Sequence, residues 1–250
     1  MKIWLGVAVF SLPMLVMAQS ACSSDGQPAP TGLMERFINA DCADCWASAP
    51  TPRPGPQTLA LDWIVPGSQG DDAPLSAAAR RDSLYRLQAL NRATPAQADS
   101  ITQPIQANAQ ANAQATPGRQ RVRVGHGLPL NNYVGTSIQV RAAQAKTPMA
   151  PAASPAPAAV GMTRWLVLVE TVPAGTEGTP VERNLVRNSY QSTATSADVE
   201  YVPMQIPEGA NPDRLRVVGW LEDAQGRVHG AAASRCVANQ RQPPHRAAPR

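Results

Sequence analysis

The sequence predicts an α/β lobe followed by an all-β, sandwich-like lobe, and three observations carry that reading. A short strand, Leu33-Met34-Glu35-Arg36-Phe37-Ile38, runs into two cysteines spaced by two residues, Cys42 and Cys45, with a second strand and an amphipathic helix after them. The last third breaks into short strand-like runs separated by turn residues, the pattern of a small sandwich. With 25 prolines and 4% aromatics in 250 residues, much of the length must be loop or linker, so the ordered part is smaller than the count suggests.

At the start of the chain, Lys2, the apolar run from Ile3 to Val16 and the small residues Ala18, Ser20 and Ala21 form the three-part pattern of a secretory signal peptide, assigned to residues 1–20. The run is short, contains Pro13 and has no charged stop after it, so it makes a poor transmembrane span. Cys22 stands where a lipoprotein acceptor would, but Gln19, three residues before it, occupies a place that such signals fill with an apolar residue, which argues against lipidation. Residues 21–31, rich in Ser, Gly and Pro, are a lead-in.

The first lobe is assigned to residues 32–128. Asn39-Ala40-Asp41 turns the first strand into Cys42, where a helix begins. Pro50, Pro52, Pro54 and Pro56 stop that helix within two turns, because proline removes the N–H and clashes with the preceding turn. Thr58 to Val65 is nearly continuous in apolar residues, as a strand covered on both faces is. From Ser76 the period becomes helical, with Ala77, Leu84, Leu87 and Leu90 on one side and arginines on the other, until Thr94-Pro95-Ala96-Gln97 ends it. Asp99-Ser100-Ile101-Thr102 is a poor strand sequence. A low-complexity segment near residues 103–118 precedes Arg121-Val122-Arg123-Val124, which alternates like a half-buried strand.

The second lobe is assigned to residues 129–236, with an Ala/Pro-rich insertion near residues 145–160. Its predicted strands are Thr136 to Arg141, Trp165 to Val172, Val199 to Ile206, Leu215 to Glu222 and Arg227 to Ala233. The last two are joined by Asp223-Ala224-Gln225-Gly226, a hairpin turn with glycine where positive φ is tolerated. Residues 237–250 read as a disordered basic tail.

The formal charge of +4 comes from scattered arginines rather than a block. Arg80, Arg81, Arg86 and Arg92 share the predicted helix and read as a solvated basic surface; with aromatics so sparse there is little for bases to stack on, and no nucleic-acid partner is expected. No Gly-rich phosphate loop and no Gly-x-Ser-x-Gly elbow occurs, so nucleotide use and hydrolase chemistry have nothing to rest on. No cofactor is expected, and His126, His229 and His245 form no ligand motif with the cysteines, so no metal is expected either.

Export implies an oxidising compartment, periplasmic or extracellular, and the four cysteines form an even set with three formal pairings. The adjacent Cys42 and Cys45 are most simply one unit, which leaves Cys22 to meet Cys236 in a structural bond worth at most about 5 kcal/mol on the loop-entropy model. Cys42 and Cys45 are open to three readings: a working dithiol, an inert disulfide, or half of a metal site. Cys42 at a helix start would meet unpaired N–H groups that favour a thiolate, with Cys45 one turn on as resolving thiol. Asp41 and Asp44 beside it act against that charge. Asp62 is either a buried proton acceptor for the dithiol or a surface carboxylate. Leu84, Tyr85 and Leu87 read as core contacts, and Trp46 and Trp63 as packing or as the lining of a cleft.

In this order of elements the chain resembles the bacterial secreted thioredoxin-like family called domain of unknown function 1223 (DUF1223). Met34-Glu35-Arg36-Phe37 with Cys42 and Cys45 is similar to the Val-Glu-Leu-Phe-like strand and Cys-x-x-Cys of that family. Arg80-Arg81-Asp82-Ser83-Leu84-Tyr85 and Thr94-Pro95-Ala96-Gln97 resemble its Arg-Gln...Tyr helix and Tyr-Thr-Pro-Gln; Glu182 to Arg187 and Gly226 to Ala231 resemble its two late signatures. Members usually follow the second cysteine with Pro-Pro and a full helix, where this chain has Trp46 and the proline ladder. The resemblance implies a degenerate thioredoxin-like first lobe, with Pro95 as the cis-proline facing the disulfide and Thr94 presenting its backbone to a substrate. It also implies thiol–disulfide exchange through Cys42 and Cys45 on protein thiols or disulfides of the cell envelope. The alternative is a noncatalytic binding or assembly module that keeps the fold and holds Cys42–Cys45 as a structural disulfide.

Overall fold

The computed structural model describes residues 22–106, 120–142, 161–195 and 199–236. The expected signal peptide, most of the low-complexity segment, the Ala/Pro-rich insertion and the basic tail lie outside the described residues. In chain order the elements are β1 (Cys22–Ser23), β2 (Gly32–Asn39), α1 (Ala43–Trp46), β3 (Thr58–Val65), α2 (Asp82–Ala89), β4 (Ala98–Pro104), β5 (Gln120–His126) and β6 (Tyr133–Ala142). There follow β7 (Thr163–Val172), β8 (Arg183–Thr193), β9 (Val199–Gln205), β10 (Leu215–Glu222), β11 (Val228–Ala233) and β12 (Arg235–Cys236). Among the described residues no helix is long and apolar enough to cross a membrane.

The architecture is mixed α/β, mostly strand with few helices, and the described strands form two sheets. A seven-stranded sheet runs β11-β10-β7-β8-β3-β2-β4, and a five-stranded antiparallel sheet runs β12-β1-β5-β6-β9. In the larger sheet β2 and β3 are parallel, and β8 joins β3 in parallel at one residue pair, Asp62 opposite Leu185. Strands from both expected lobes therefore share each sheet: β8 extends β3, and β5 pairs with β6.

Side-chain alternation decides which layer covers which face. Leu33 and Phe37 of β2, Leu61, Trp63 and Val65 of β3, and Trp165, Val167 and Val169 of β7 point to one face, where Leu87 of α2 packs on them. The intervening residues of β7, Leu166 and Leu168, meet Val124, Ile138 and Met204 of the smaller sheet. Gly219 faces the smaller sheet at close range: a Cβ there would sit 2.7 Å from Val124 Cγ1 and 3.0 Å from Ile138 Cδ1, so a larger residue would force these side chains to shift.

Four expectations are corrected. The helix from Ser76 divides into a 3-10 turn, Ser76–Ala78, and α2, and of its supposed core contacts Leu87 is buried while Leu84 and Tyr85 are exposed. The poor strand sequence around Asp99 does form a strand, because β4 is an edge strand whose backbone pairs with β2 from Gly32 opposite Pro104 to Ile38 opposite Ala98. An edge position asks little of side chains, and Ile101 is the hydrophobic residue of β4 that packs against the core. Strand β8 was not anticipated: Arg183, Asn184 and Arg187 interrupt its apolar pattern, yet all three are buried and paired. Arg86 is no part of a solvated surface; it is fully buried.

Candidate functional site

The carboxyl ends of the parallel strands β2 and β3 lie side by side, the place where open α/β sheets present ligand sites. Asn39, the last residue of β2, organises the turn beyond it. Its side-chain oxygen accepts from Asp41 N–H at 2.9 Å, its carbonyl accepts from Cys42 N–H at 3.0 Å, and its amide donates to the Pro95 carbonyl at 3.0 Å. Asp41 in turn accepts from Ser68 N–H at 2.7 Å, Ser68 Oγ at 2.8 Å and Gln69 N–H at 3.3 Å. Desolvation works against its charge, but these hydrogen bonds prevail and hold the carboxyl below its ordinary value. Gly67 makes this packing possible, since a Cβ there would overlap the Asp41 carboxylate and the Asn39 side chain.

Cys42 and Cys45 form a disulfide across the start of α1, which is a single turn of four residues rather than two turns. Both cysteines are half-buried, and Cys45 N–H donates to Cys42 Sγ at 3.2 Å. Trp46 closes the turn. It is buried against Ile38, Ile64, Val172 and Leu185, and its indole N–H donates to the Glu177 carbonyl at 2.7 Å. It is therefore an anchor of α1; Trp63 is buried on the opposite face of the sheet, stacked with Phe37.

Beneath α1 lies an ion cluster that sequence reasoning missed. Arg183 Nη2 reaches the carbonyls of Cys45 at 3.2 Å and Trp46 at 2.9 Å and the Thr51 hydroxyl at 3.1 Å, while its Nη1 bonds Asp62 at 3.2 Å. The guanidinium also stands 5.2 Å from the Trp46 ring. Asp62, fully buried, accepts from Arg36 Nη2 at 2.6 Å and from Asn184 N–H at 2.7 Å as well. It is neither a surface carboxylate nor a free proton acceptor; its oxygens are committed to two arginines and a backbone amide. Two guanidiniums to one carboxylate leave one positive charge in excess. Burial, with repulsion from Arg36, draws the Arg183 pKa below its ordinary value against the attraction of Asp62. A cavity of about 220 Å³ borders the cluster, lined by Arg36, Cys45, Thr51, Pro52, Ser100 and Arg183 among others.

The geometry brings Cys42, Cys45 and Pro95 to the same end of the sheet, with Pro95 tied to the turn through Asn39 and Thr94 exposed beside it. The peptide bond before Pro95 is trans, not the cis form that the resemblance implied. The sequence carried one hint of the cluster: Arg36 lies inside the strand motif and Arg183 inside a late signature. Their common partner, Asp62, was visible only once β2, β3 and β8 were placed together.

Cys22 and Cys236 form the other disulfide, in the smaller sheet. Cys22 faces Cys236 on one neighbouring strand and His126 on the other. His126 is buried, which lowers its pKa; its Nδ1 is 2.9 Å from Ser234 Oγ and its Nε2 is 3.8 Å from Cys236 Sγ. Ser234 Oγ also accepts from Val217 N–H at 2.8 Å. No protein-family model matches this chain, and no curated protein matches it.

Proposed function

We propose that this is an exported, degenerate thioredoxin-like protein, a divergent relative of DUF1223, that performs thiol–disulfide exchange in the periplasm through Cys42 and Cys45. The observation that carries this reading is the half-exposed Cys42–Cys45 disulfide at the carboxyl ends of two parallel strands, bordering a cavity, with a backbone N–H on Cys42 Sγ. That N–H favours negative charge on Cys42, the sulfur that must leave and attack. Arg183 supports the same turn from below by holding the carbonyls of Cys45 and Trp46.

In the reduced protein the Cys42 thiolate attacks a partner disulfide; one partner sulfur joins Cys42 and the other leaves as a thiolate that takes up a proton. Cys45, deprotonated, then attacks Cys42 Sγ, closes the intramolecular bond and releases the partner as a dithiol. The two electrons gained by the partner are those lost by the Cys42/Cys45 pair. Asp41, held ionised, opposes the Cys42 thiolate and makes the pair less acidic than the N–H alone would.

A Cys45→Ser chain, which cannot resolve the mixed disulfide, is expected to accumulate covalent partner adducts through Cys42. The reduction potential of the Cys42/Cys45 pair is expected between roughly −120 and −270 mV, the range of exchange proteins. The second reading, a noncatalytic binding or assembly module, is favoured by the single-turn α1 and the trans bond before Pro95. It calls for a potential below roughly −300 mV, where structural disulfides lie, and for no adducts. Those two results together would overturn the exchange reading.

A further inference from the structure

Three adjacent strands place a second set of sulfur and nitrogen atoms in one row. The register of β12, β1 and β5 sets Cys236 opposite Cys22 and Cys22 opposite His126. Side chains of directly opposed residues project from the same face of a sheet, so the two sulfurs and the imidazole converge. Their ligand atoms all lie within 4.8 Å of one another. Zn–S bonds of about 2.3 Å and a Zn–N bond of about 2.0 Å at a tetrahedral angle require sulfur and nitrogen about 3.5 Å apart. His126 Nε2 and Cys236 Sγ are 3.8 Å apart, within a small side-chain adjustment of that figure.

The remaining ring nitrogen is also provided for. A ligating imidazole needs its other nitrogen protonated and held by an acceptor. Ser234 Oγ stands 2.9 Å from Nδ1 and is fixed in place by Val217 N–H, so its second lone pair can receive the Nδ1 proton. Cys22 and His126 are buried while Cys236 is exposed, which gives a reductant and an ion one open side from which to enter.

We propose that Cys22, Cys236 and His126 form a redox-gated zinc site. A dithiol reductant attacks the exposed Cys236 sulfur, the Cys22–Cys236 bond breaks, and the dithiol leaves as a disulfide, having delivered two electrons and two protons. Zn²⁺ then displaces the two thiol protons and binds two thiolates and His126 Nε2, with a fourth position open toward solvent. Metal and disulfide are thus alternative clasps between the same two strands, selected by the redox state around the protein.

The test uses the full chain with Cys42→Ser and Cys45→Ser, so that Cys22 and Cys236 are the remaining thiols and the outcome is independent of the exchange reading. After reduction and removal of reductant, Co²⁺ is the spectroscopic probe and Zn²⁺ the competitor. One Co²⁺ per chain is expected, with a thiolate-to-cobalt charge-transfer band that Zn²⁺ abolishes and that the oxidised chain lacks. His126→Ala is expected to weaken Zn²⁺ binding at least tenfold, and Ser234→Ala about tenfold, the lower end for a group that orients a ligand. Circular dichroism of each reduced variant shows whether the strands persist; where His126→Ala loses them, His126→Gln takes its place. Absence of the band in the reduced parent, or an affinity unchanged in the folded His126 variant, overturns the proposal.

Discussion

Glu35 and Arg36 are neighbours on β2, and the pleat sends them to opposite faces of the seven-stranded sheet, where each enters a buried ion cluster. On the α2 face, Arg86 makes a paired contact with Glu35 at 2.8 and 2.7 Å, bonds Glu222 at 2.7 Å, and stands beside the stacked rings of Trp165 and Trp220, 4.8 and 5.1 Å from their centroids. The indole N–H groups of Trp63 and Trp220 donate to two of the oxygens that Arg86 already bonds, Glu35 Oε1 and Glu222 Oε2. On the other face, Arg36 and Arg183 share Asp62 beside the Cys42–Cys45 turn. The first cluster has a carboxylate in excess and is sealed by aromatics; the second has a guanidinium in excess and borders a cavity. One fastens a helix to the sheet, whereas the other holds backbone carbonyls next to a disulfide. Enclosure and the choice of partners, rather than ion pairing as such, separate a helix clamp from a support for a disulfide turn.

Removing Arg86 should break the clamp outright. Arg86→Met leaves Glu35 and Glu222 buried without a counter-charge, and a loss of about 3–5 kcal/mol is expected in denaturant unfolding. A loss under about 1 kcal/mol would mean that the two clusters do not differ in the way described. Asp62→Asn strips the second cluster of its only carboxylate and is expected to cost about 3 kcal/mol, while also raising the rate at which Cys42 and Cys45 are reduced, because Arg183 loses its anchor. Arg86→Met should leave that rate unchanged when both are measured in conditions where the chains are folded.

The excess carboxylate gives the clamp a pH signature. Burial, together with repulsion from Glu35, raises the Glu222 pKa in spite of Arg86, so the folded state holds this proton more tightly than the unfolded one. With the folded value above the unfolded one, the contribution is full below the ordinary glutamate value of about 4.3 and is lost as pH rises through the folded value. Glu222→Gln should remove this fall, so stability measured against pH in the variant should gain on the parent across that window. The smallest effect is expected at the exposed Arg92–Asp99 pair, where Arg92→Ala should cost under about 1 kcal/mol.

The strands whose burial follows from local pattern were legible from the chain alone: β3 and β10 have the bounds that their apolar runs suggest, and Gly226 adopts φ +76° in the turn before β11. Cysteine pairing was readable too, because adjacency left one partner for Cys22. What escaped was every element whose burial rests on a partner far away. Arg86 and Glu222 are 136 positions apart, and Arg183 and Asp62 are 121 apart, so a charged residue read by itself looks like surface. The same reason hid β8, whose arginines are interior once Asp62 and Glu170 face them. His126 was passed over because ligand spacing along the chain is blind to a row that runs across three strands.

The Cys22–Cys236 bond spans a sequence separation of 214, so the chain between these two residues is covalently a ring rather than a line. A ring must be opened twice before it falls into two pieces. A protease that nicks one exposed loop therefore releases nothing: the cleaved protein migrates as a single species until its disulfides are reduced. The strand order also loses its privileged starting point. A chain with peptide bonds joining these two ends and a new opening in another loop would be the same sheet pair entered at a different place.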